Sequence, residues 1–132
     1  MADNFKVELV SPERRLASIE ASMAQIPGAM GDFAAMPNHA PFLSTLRPGI
    51  VTIHDSGSKR EFFVTGGFAE ISPEGASILA EQAVPRDELD REWLDARIAE
   101  AESAAEAAEG ADKAATGQRL NDFRAIKGQL GL

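Results

Sequence analysis

The sequence contains no cysteine, which removes disulfides, a thiolate nucleophile and any cysteine-based metal site. Basic charge is scarce as well. The 13 Lys and Arg stand against 21 Asp and Glu, a net charge of −8, so no basic face is available to neutralise phosphates and nucleic acid is not an expected partner. Only two histidines occur, His39 and His54, and they fall in different predicted elements, which leaves no ligand spacing on which to build a metal site. No run approaches the roughly 18 consecutive apolar residues that a membrane span needs. The opening residues, Met1-Ala2-Asp3-Asn4-Phe5-Lys6, pass straight into a strand pattern, without the basic n-region and apolar core of a signal peptide. These absences predict a soluble, cytoplasmic protein that docks on a neutral or positively charged partner, with attachment to a membrane complex through protein contacts left open.

What is present divides at Pro85. Before it come short alternating runs of Phe, Val, Ile, Gly and Pro; after it come stretches of Ala, Glu, Asp, Arg and Leu with no further proline. This predicts a β-sandwich domain over residues 1–84, a flattened barrel being the other form of the same pattern, and a C-terminal antiparallel α-helical hairpin over residues 85–132. Phe5-Lys6-Val7-Glu8-Leu9-Val10 alternates with period two. A second extended region is expected over about 16–26, ending at Pro27-Gly28. Gly49-Ile50-Val51-Thr52-Ile53-His54 should fold back, through the turn Asp55-Ser56-Gly57-Ser58, onto residues 59–65. Gly66-Gly67 permits a bend before residues 68–71, and Ser72-Pro73-Glu74-Gly75 turns the chain into residues 76–81.

In the second part, Asp87 is the expected N-cap, with Asp90 three residues on and acids through the first turn. Leu94, Ile98, Ala101, Ala105 and Ala108 make one apolar stripe, closed by Glu109-Gly110-Ala111. Leu120, Phe123, Ile126 and Leu130 make another, with Gly128 weakening its last turn. The large anchors are few, each contributing about 1.5–3 kcal/mol when fully buried, against an ordering cost of roughly 1–2 kcal/mol per residue. The hairpin is therefore expected to need an outside surface and to dock marginally. Hydrogen exchange as slow in the hairpin as in the β-domain of the free protein would refute that.

Catalytic chemistry finds little support. Asp32, His39 and Ser44 can be drawn together as a triad, but no strand-turn-helix nucleophile elbow of the G-x-S-x-G type is present. No phosphate-cradling glycine motif occurs either. His54 reads as a solvated residue at a strand end, and the acids Glu100, Glu102, Glu106 and Glu109 as a solvated helix face, with a contact to basic groups of a partner as the second reading. Met36-Pro37-Asn38-His39-Ala40-Pro41-Phe42-Leu43 is different. Two prolines hold the residues between them in an almost predetermined shape, which suits the stiff rim of an interface.

Seven segments in order make this specific: Val10-Ser11-Pro12-Glu13, Ile26-Pro27-Gly28, Gly31-Asp32-Phe33, Pro37-Asn38-His39-Ala40-Pro41-Phe42-Leu43, Leu46-Arg47-Pro48-Gly49, Phe63-Val64-Thr65-Gly66-Gly67-Phe68-Ala69-Glu70 and Leu79-Ala80-Glu81. Together they closely resemble the epsilon subunit family of the bacterial rotary (F-type) proton-translocating ATP synthase, whose mitochondrial counterpart is called delta. The resemblance covers nearly the whole β-part; the tail agrees in length and type. It implies a two-sheet sandwich with a helical hairpin, no active site and no cofactor. It also implies a central-stalk position on the cytoplasmic face of the bacterial inner membrane, peripheral to it, bound to the gamma subunit and the ring of c subunits. The role implied is to couple proton translocation to ATP synthesis, with the hairpin a candidate regulator of ATP hydrolysis that reaches towards the catalytic alpha/beta head. By position, Gly28, Gly31, Asp32 and Phe33 match the c-ring contact, where a carboxylate at Asp32 can pair with basic or amide groups. His39, Ala40, Pro41 and Leu43 match the gamma and c-ring junction. Asn38 stands where the family has glycine, a change that left-handed geometry tolerates.

Some relatives bind ATP on the hairpin through I/L-D-x-x-R-A. Here Asp90 is followed by Trp93 and Leu94 in place of Arg and Ala, and after Asp95 the arginine, Arg97, comes one residue early, about 100° off the expected helix face. No nucleotide site is expected. From Arg86 on the tail holds eleven acids and seven bases, which weakens inhibition by an extended tail. The alternative without the resemblance is a stand-alone β-sandwich binding module with a helical oligomerisation tail. A small hydrolase using His39 is the third.

Overall fold

The computed structural model describes residues 5–132; the expectation about the first four residues lies outside them. Ten strands form two five-stranded sheets. One sheet has the order β2-β1-β9-β8-β5 and the other β10-β7-β6-β3-β4. The strands are β1 Phe5–Val10, β2 Arg15–Ala21, β3 Met23–Ile26, β4 Phe33–Ala35, β5 Phe42–Leu46, β6 Gly49–Asp55, β7 Ser58–Val64, β8 Gly67–Ser72, β9 Gly75–Ala80 and β10 Ala83–Pro85. All neighbours are antiparallel except β1 and β9. The sheets face each other across a core that includes Phe5, Val7, Leu9, Ile26, Ile53, Phe62, Ile71 and Ile78. The chain is a β-sandwich followed by two helices, as its alternating runs and later helical stripes predict.

The alternating patterns place residues as expected in β1, where Phe5, Val7 and Leu9 are buried, and in β8 and β9, where Ala69, Ile71, Ala76, Ile78 and Ala80 are. The tight turn between β6 and β7 has positive φ at both central residues, 42° at Ser56 and 91° at Gly57, the geometry that matches the twist of a two-residue hairpin.

The extended region expected over 16–26 is two strands in different sheets. Ala17 and Ala21 point inward from β2, but Ala24 and Ile26 do so from β3, so the inward parity switches from odd to even at Ser22. The backbone N–H and Oγ of Ser22 both donate to the His54 carbonyl oxygen, at 2.9 and 3.2 Å. That anchors the corner where the chain leaves β1 and joins β6. Two strands lack a sequence signal. β4 is only three residues long, and β5 is an edge strand in which Leu46 alone is buried, so neither alternates.

The first compact unit ends at Arg86, and the second comprises Asp87–Leu132. In the second, Asp90 and not Asp87 caps the first helix, α1 (Arg91–Ala107): its Oδ1 accepts from the Trp93 N–H at 2.8 Å. Residues Arg86–Glu88 are spent in a single 3-10 turn, which moves the helix start past Asp87. α1 also ends at Ala107, ahead of the expected Glu109-Gly110-Ala111, because Ala108 is already extended. The second helix, α2 (Ala111–Leu130), closes on Gly131 in the left-handed region, with Gly131 N–H donating to the Gly128 carbonyl and Leu132 N–H to that of Lys127. The helices pack antiparallel. Two ion pairs cross between them, Asp95 with Lys127 and Glu102 with Arg124. Leu94, Ile98, Ala101 and Phe123 are buried.

Candidate interaction surface

The loop over 27–32 joins β3 to β4 and lies along the free edge of β5. Gly28 bridges to Leu46, the Ala29 N–H donates to the Thr45 carbonyl at 2.8 Å, and the Arg47 N–H donates to the Pro27 carbonyl at 3.0 Å. The loop therefore covers part of an edge that would otherwise offer unpaired backbone groups. Glycine is required at position 28. A Cβ there would lie 2.6 Å from the Gly31 carbonyl oxygen and 3.1 Å from the Phe33 ring. The Arg47 side chain ties the loop again, donating through Nε to the Gly28 carbonyl at 3.2 Å and through Nη2 to Oδ1 of Asp32 at 2.5 Å. The Met30 side chain at the tip is 99% exposed.

The segment over 36–41 is held as firmly. Asn38 sits at φ 67°, and its N–H donates to the Pro73 carbonyl at 3.0 Å, which pins the segment to the turn between β8 and β9. The His39 N–H donates to the Met36 carbonyl, and its Nδ1–H donates to the Ala40 carbonyl at 2.6 Å. His39 leans on Phe42 with ring centroids 6.3 Å apart, and Phe42 meets Phe33 edge to face at 5.2 Å. Gly28, Phe33, Phe42 and His39 thus form a continuous row, and the two groups of candidate residues belong to one surface. Leu43, in β5, carries that surface onto the outer face of its sheet.

That outer face has a feature absent from the candidate residues. Phe68 in β8 pairs with Thr45 on one side and Leu79 in β9 on the other, and Leu79 pairs with Val10 in β1. Phe68 is 53% exposed, Leu79 55% and Leu43 67%. Phe68 and Leu79 alternate with buried residues, so they occupy the side of the strand where Glu70 and Ser77 face solvent, and Leu43 joins that side by its pairing with Glu70. Large apolar residues on that side were the available signal, since isolated ones need no explanation but a contiguous row does. Arg47 lies in the segment Leu46-Arg47-Pro48-Gly49, but its role depends on a contact nineteen residues away in the chain.

The triad drawn from Asp32, His39 and Ser44 is not assembled. Asp32 is bound to Arg47, His39 Nδ1 to the Ala40 carbonyl, and Ser44 Oγ donates to the Thr45 carbonyl. His54 donates from Nε2 to Gln25 Oε1 at 2.9 Å, across β6 and β3. Among the described residues, no group of three or more His, Asp or Glu stands ready to hold a metal ion. On the hairpin, Asp90 caps α1 and Asp95 pairs with Lys127. The Arg97 guanidinium lies 5.0 Å from the Trp93 ring centroid and pairs with Glu100 at 3.2 Å. These side chains serve the helices' own bonds.

A family model described as ATP synthase, Delta/Epsilon chain, beta-sandwich domain matches residues 4–86. The ATP synthase epsilon chain of Fuscovulum blasticum is 47% identical over 131 residues, covering 99% of either chain. That of Rhodobacter capsulatus is 44% identical over 132 residues, the whole of both. That of Ruegeria sp. (strain TM1040) is 56% identical over 101 residues, 76% of this chain and 74% of the relative. A chain in the cryo-EM structure of the Euglena gracilis mitochondrial ATP synthase, OSCP/F1/c-ring in rotational state 1, is similar with a TM-score of 0.73 at 22% identity, covering 96% of this chain and 81% of that one. A chain in the Tetrahymena thermophila mitochondrial ATP synthase central stalk and c-ring structure gives 0.60 at 16% identity, covering 92% and 94%. At those identities the likeness to the two structures is one of fold.

Proposed function

The chain belongs to the ATP synthase delta/epsilon family, and from that membership we propose that it is a non-catalytic central-stalk subunit of the rotor, linking gamma to the c ring. Its work is mechanical. Proton flow turns the c ring, and the torque must reach the catalytic head through parts that do not deform. A close-packed sandwich suits this, because its interior has little free volume into which to yield.

The observation that carries the reading is the exposed row of Phe68 and Leu79, with Leu43 beside it, continuous with loops that are already braced. A sheet face with such a row is stable in water but gains when a partner covers it. In this reading the row and the segment His39, Ala40, Pro41 and Leu43 meet gamma near the c ring. The loop with Gly28, Gly31, Asp32 and Phe33 meets the c ring itself. Asn38, where the resemblance has glycine, adopts φ 67°, the left-handed geometry that asparagine tolerates.

The subunit works as a peripheral part of the membrane complex on its cytoplasmic side. No helix among the described residues is long and apolar enough to cross a membrane. The hairpin is the part through which ATP hydrolysis would be regulated. Deleting the residues after Pro85 separates the two roles, because a brake then releases hydrolysis while coupled synthesis persists. The direct test of the reading is assembly. The chain should co-purify with gamma and the c ring when all are expressed together; a self-associated form that ignores both would favour an oligomerising binding module.

A further inference from the structure

We propose that Arg47 is the positioning residue of the loop over 28–32, and that Asp32 serves this loop from within, as the anchor for Arg47, leaving Met30 as the side chain a partner meets. The inference rests on the reading of this loop as the c-ring contact. A single planar guanidinium reaches both ends of the loop, accepting nothing and donating twice: through Nε to the Gly28 carbonyl and through Nη2 to the Asp32 carboxylate. Lysine, a point charge on a flexible stem, does not reproduce that fork. The backbone agrees with it, since the Ala29 N–H is bound to Thr45 and the Gly31 N–H to the Gly28 carbonyl. The loop is thus tied at four points and its shape is set before any partner arrives.

The charge balance follows from this. Asp32 remains 70% exposed, but its charge is compensated by a cation of its own chain. A partner's lysine or arginine at Oδ1 would compete with Arg47 for the carboxylate, and one at Oδ2 would stand beside the like charge of its guanidinium. What the loop offers outward is Met30, an unbranched, polarizable side chain that adapts to shallow apolar hollows. The partner surface that fits is one with a small apolar notch between polar groups, not one built around a cation.

Charge exchange decides between the two roles of Asp32. In ATP synthase assembled with this chain, protons pumped per ATP hydrolysed are compared for Asp32→Arg, Arg47→Asp and the two together. Either single change sets like charges side by side and lowers the ratio; the double change restores the ion pair but not the bond to the Gly28 carbonyl, and recovers part of the loss. A double variant as poor as Asp32→Arg alone would show that Asp32 acts directly on the partner, and would overturn the proposal. In the isolated chain, Arg47→Lys and Arg47→Ala should raise amide exchange at Ala29 and Gly31 about three- to tenfold while Ile53 in the core stays as protected as before. Unchanged exchange in the loop would equally overturn it. Met30→Asp should leave that exchange unaltered and lower retention of the c ring; full retention would remove Met30 as the contact. A wild-type chain that never joins the complex would refute the c-ring reading and with it the role of Met30, while the exchange experiment still decides that of Arg47.

Discussion

Phe33 and Phe42 meet edge to face with ring centroids 5.2 Å apart, and this contact joins the loop after β3 to the segment before β5. The two rings come from strands in different sheets, so the contact also closes one end of the sandwich. An aromatic pair of this geometry contributes about 0.5–1.5 kcal/mol beyond the area it buries. Phe33→Ala and Phe42→Ala should each destabilise the protein by about 1–2 kcal/mol, with Phe42 at the lower end because it is half exposed. A double-mutant cycle in urea should return a coupling of about 0.5–1.5 kcal/mol. Strict additivity would show that the rings do not support one another.

Asn38 holds a left-handed backbone at φ 67° while its N–H binds the Pro73 carbonyl. Asn38→Gly should therefore stay within about 0.5 kcal/mol of the parent in thermal unfolding. Asn38→Val, which resists that conformation, should cost about 1–3 kcal/mol. Equal stability of the two variants would contradict the geometry.

Phe68 lies on the outer face of its sheet with no role in the core. Phe68→Glu should change the stability of the isolated chain by no more than about 0.5 kcal/mol. Its affinity for gamma, followed by titration calorimetry, should fall by about 30-fold or more, the loss expected of a central apolar anchor. Leu79→Lys should behave likewise. An unchanged affinity for both would move the gamma contact elsewhere.

Asp90 accepts the Trp93 N–H at the start of α1, whereas Asp87 lies in the preceding 3-10 turn. Asp90→Ala should weaken the first turns of α1 by about 0.5–2 kcal/mol, read as faster amide exchange there. Asp87→Ala should leave that exchange as it was. The opposite order would restore Asp87 as the cap.

The parts of the fold legible in the sequence are those where one face of an element is buried and the other is not. β1, β8, β9 and the stripe of Leu94, Ile98 and Ala101 show this directly. The turn at Ser56 and Gly57 was legible too, because positive φ selects residue type. β5 was not, since an edge strand with Phe42, Leu43 and Thr45 exposed carries no alternation. Nor was the break at Ser22, because switching sheets costs only one residue of parity within an otherwise extended run. The candidate segments were visible through glycine, proline and their order along the chain. The link between them was not: the contact of Phe33 with Phe42 and the reach of Arg47 back to Gly28 and Asp32 are long-range facts, invisible to local pattern.

The proposed role of this chain is to carry torque between the c ring and gamma without doing chemistry itself. The most direct test is proton pumping per ATP hydrolysed in membrane vesicles bearing ATP synthase assembled with and without it. Complexes lacking the chain should still hydrolyse ATP but lose most of their coupled pumping, and adding the purified chain should restore it. Equal pumping per ATP in its presence and absence would show that torque does not pass through it.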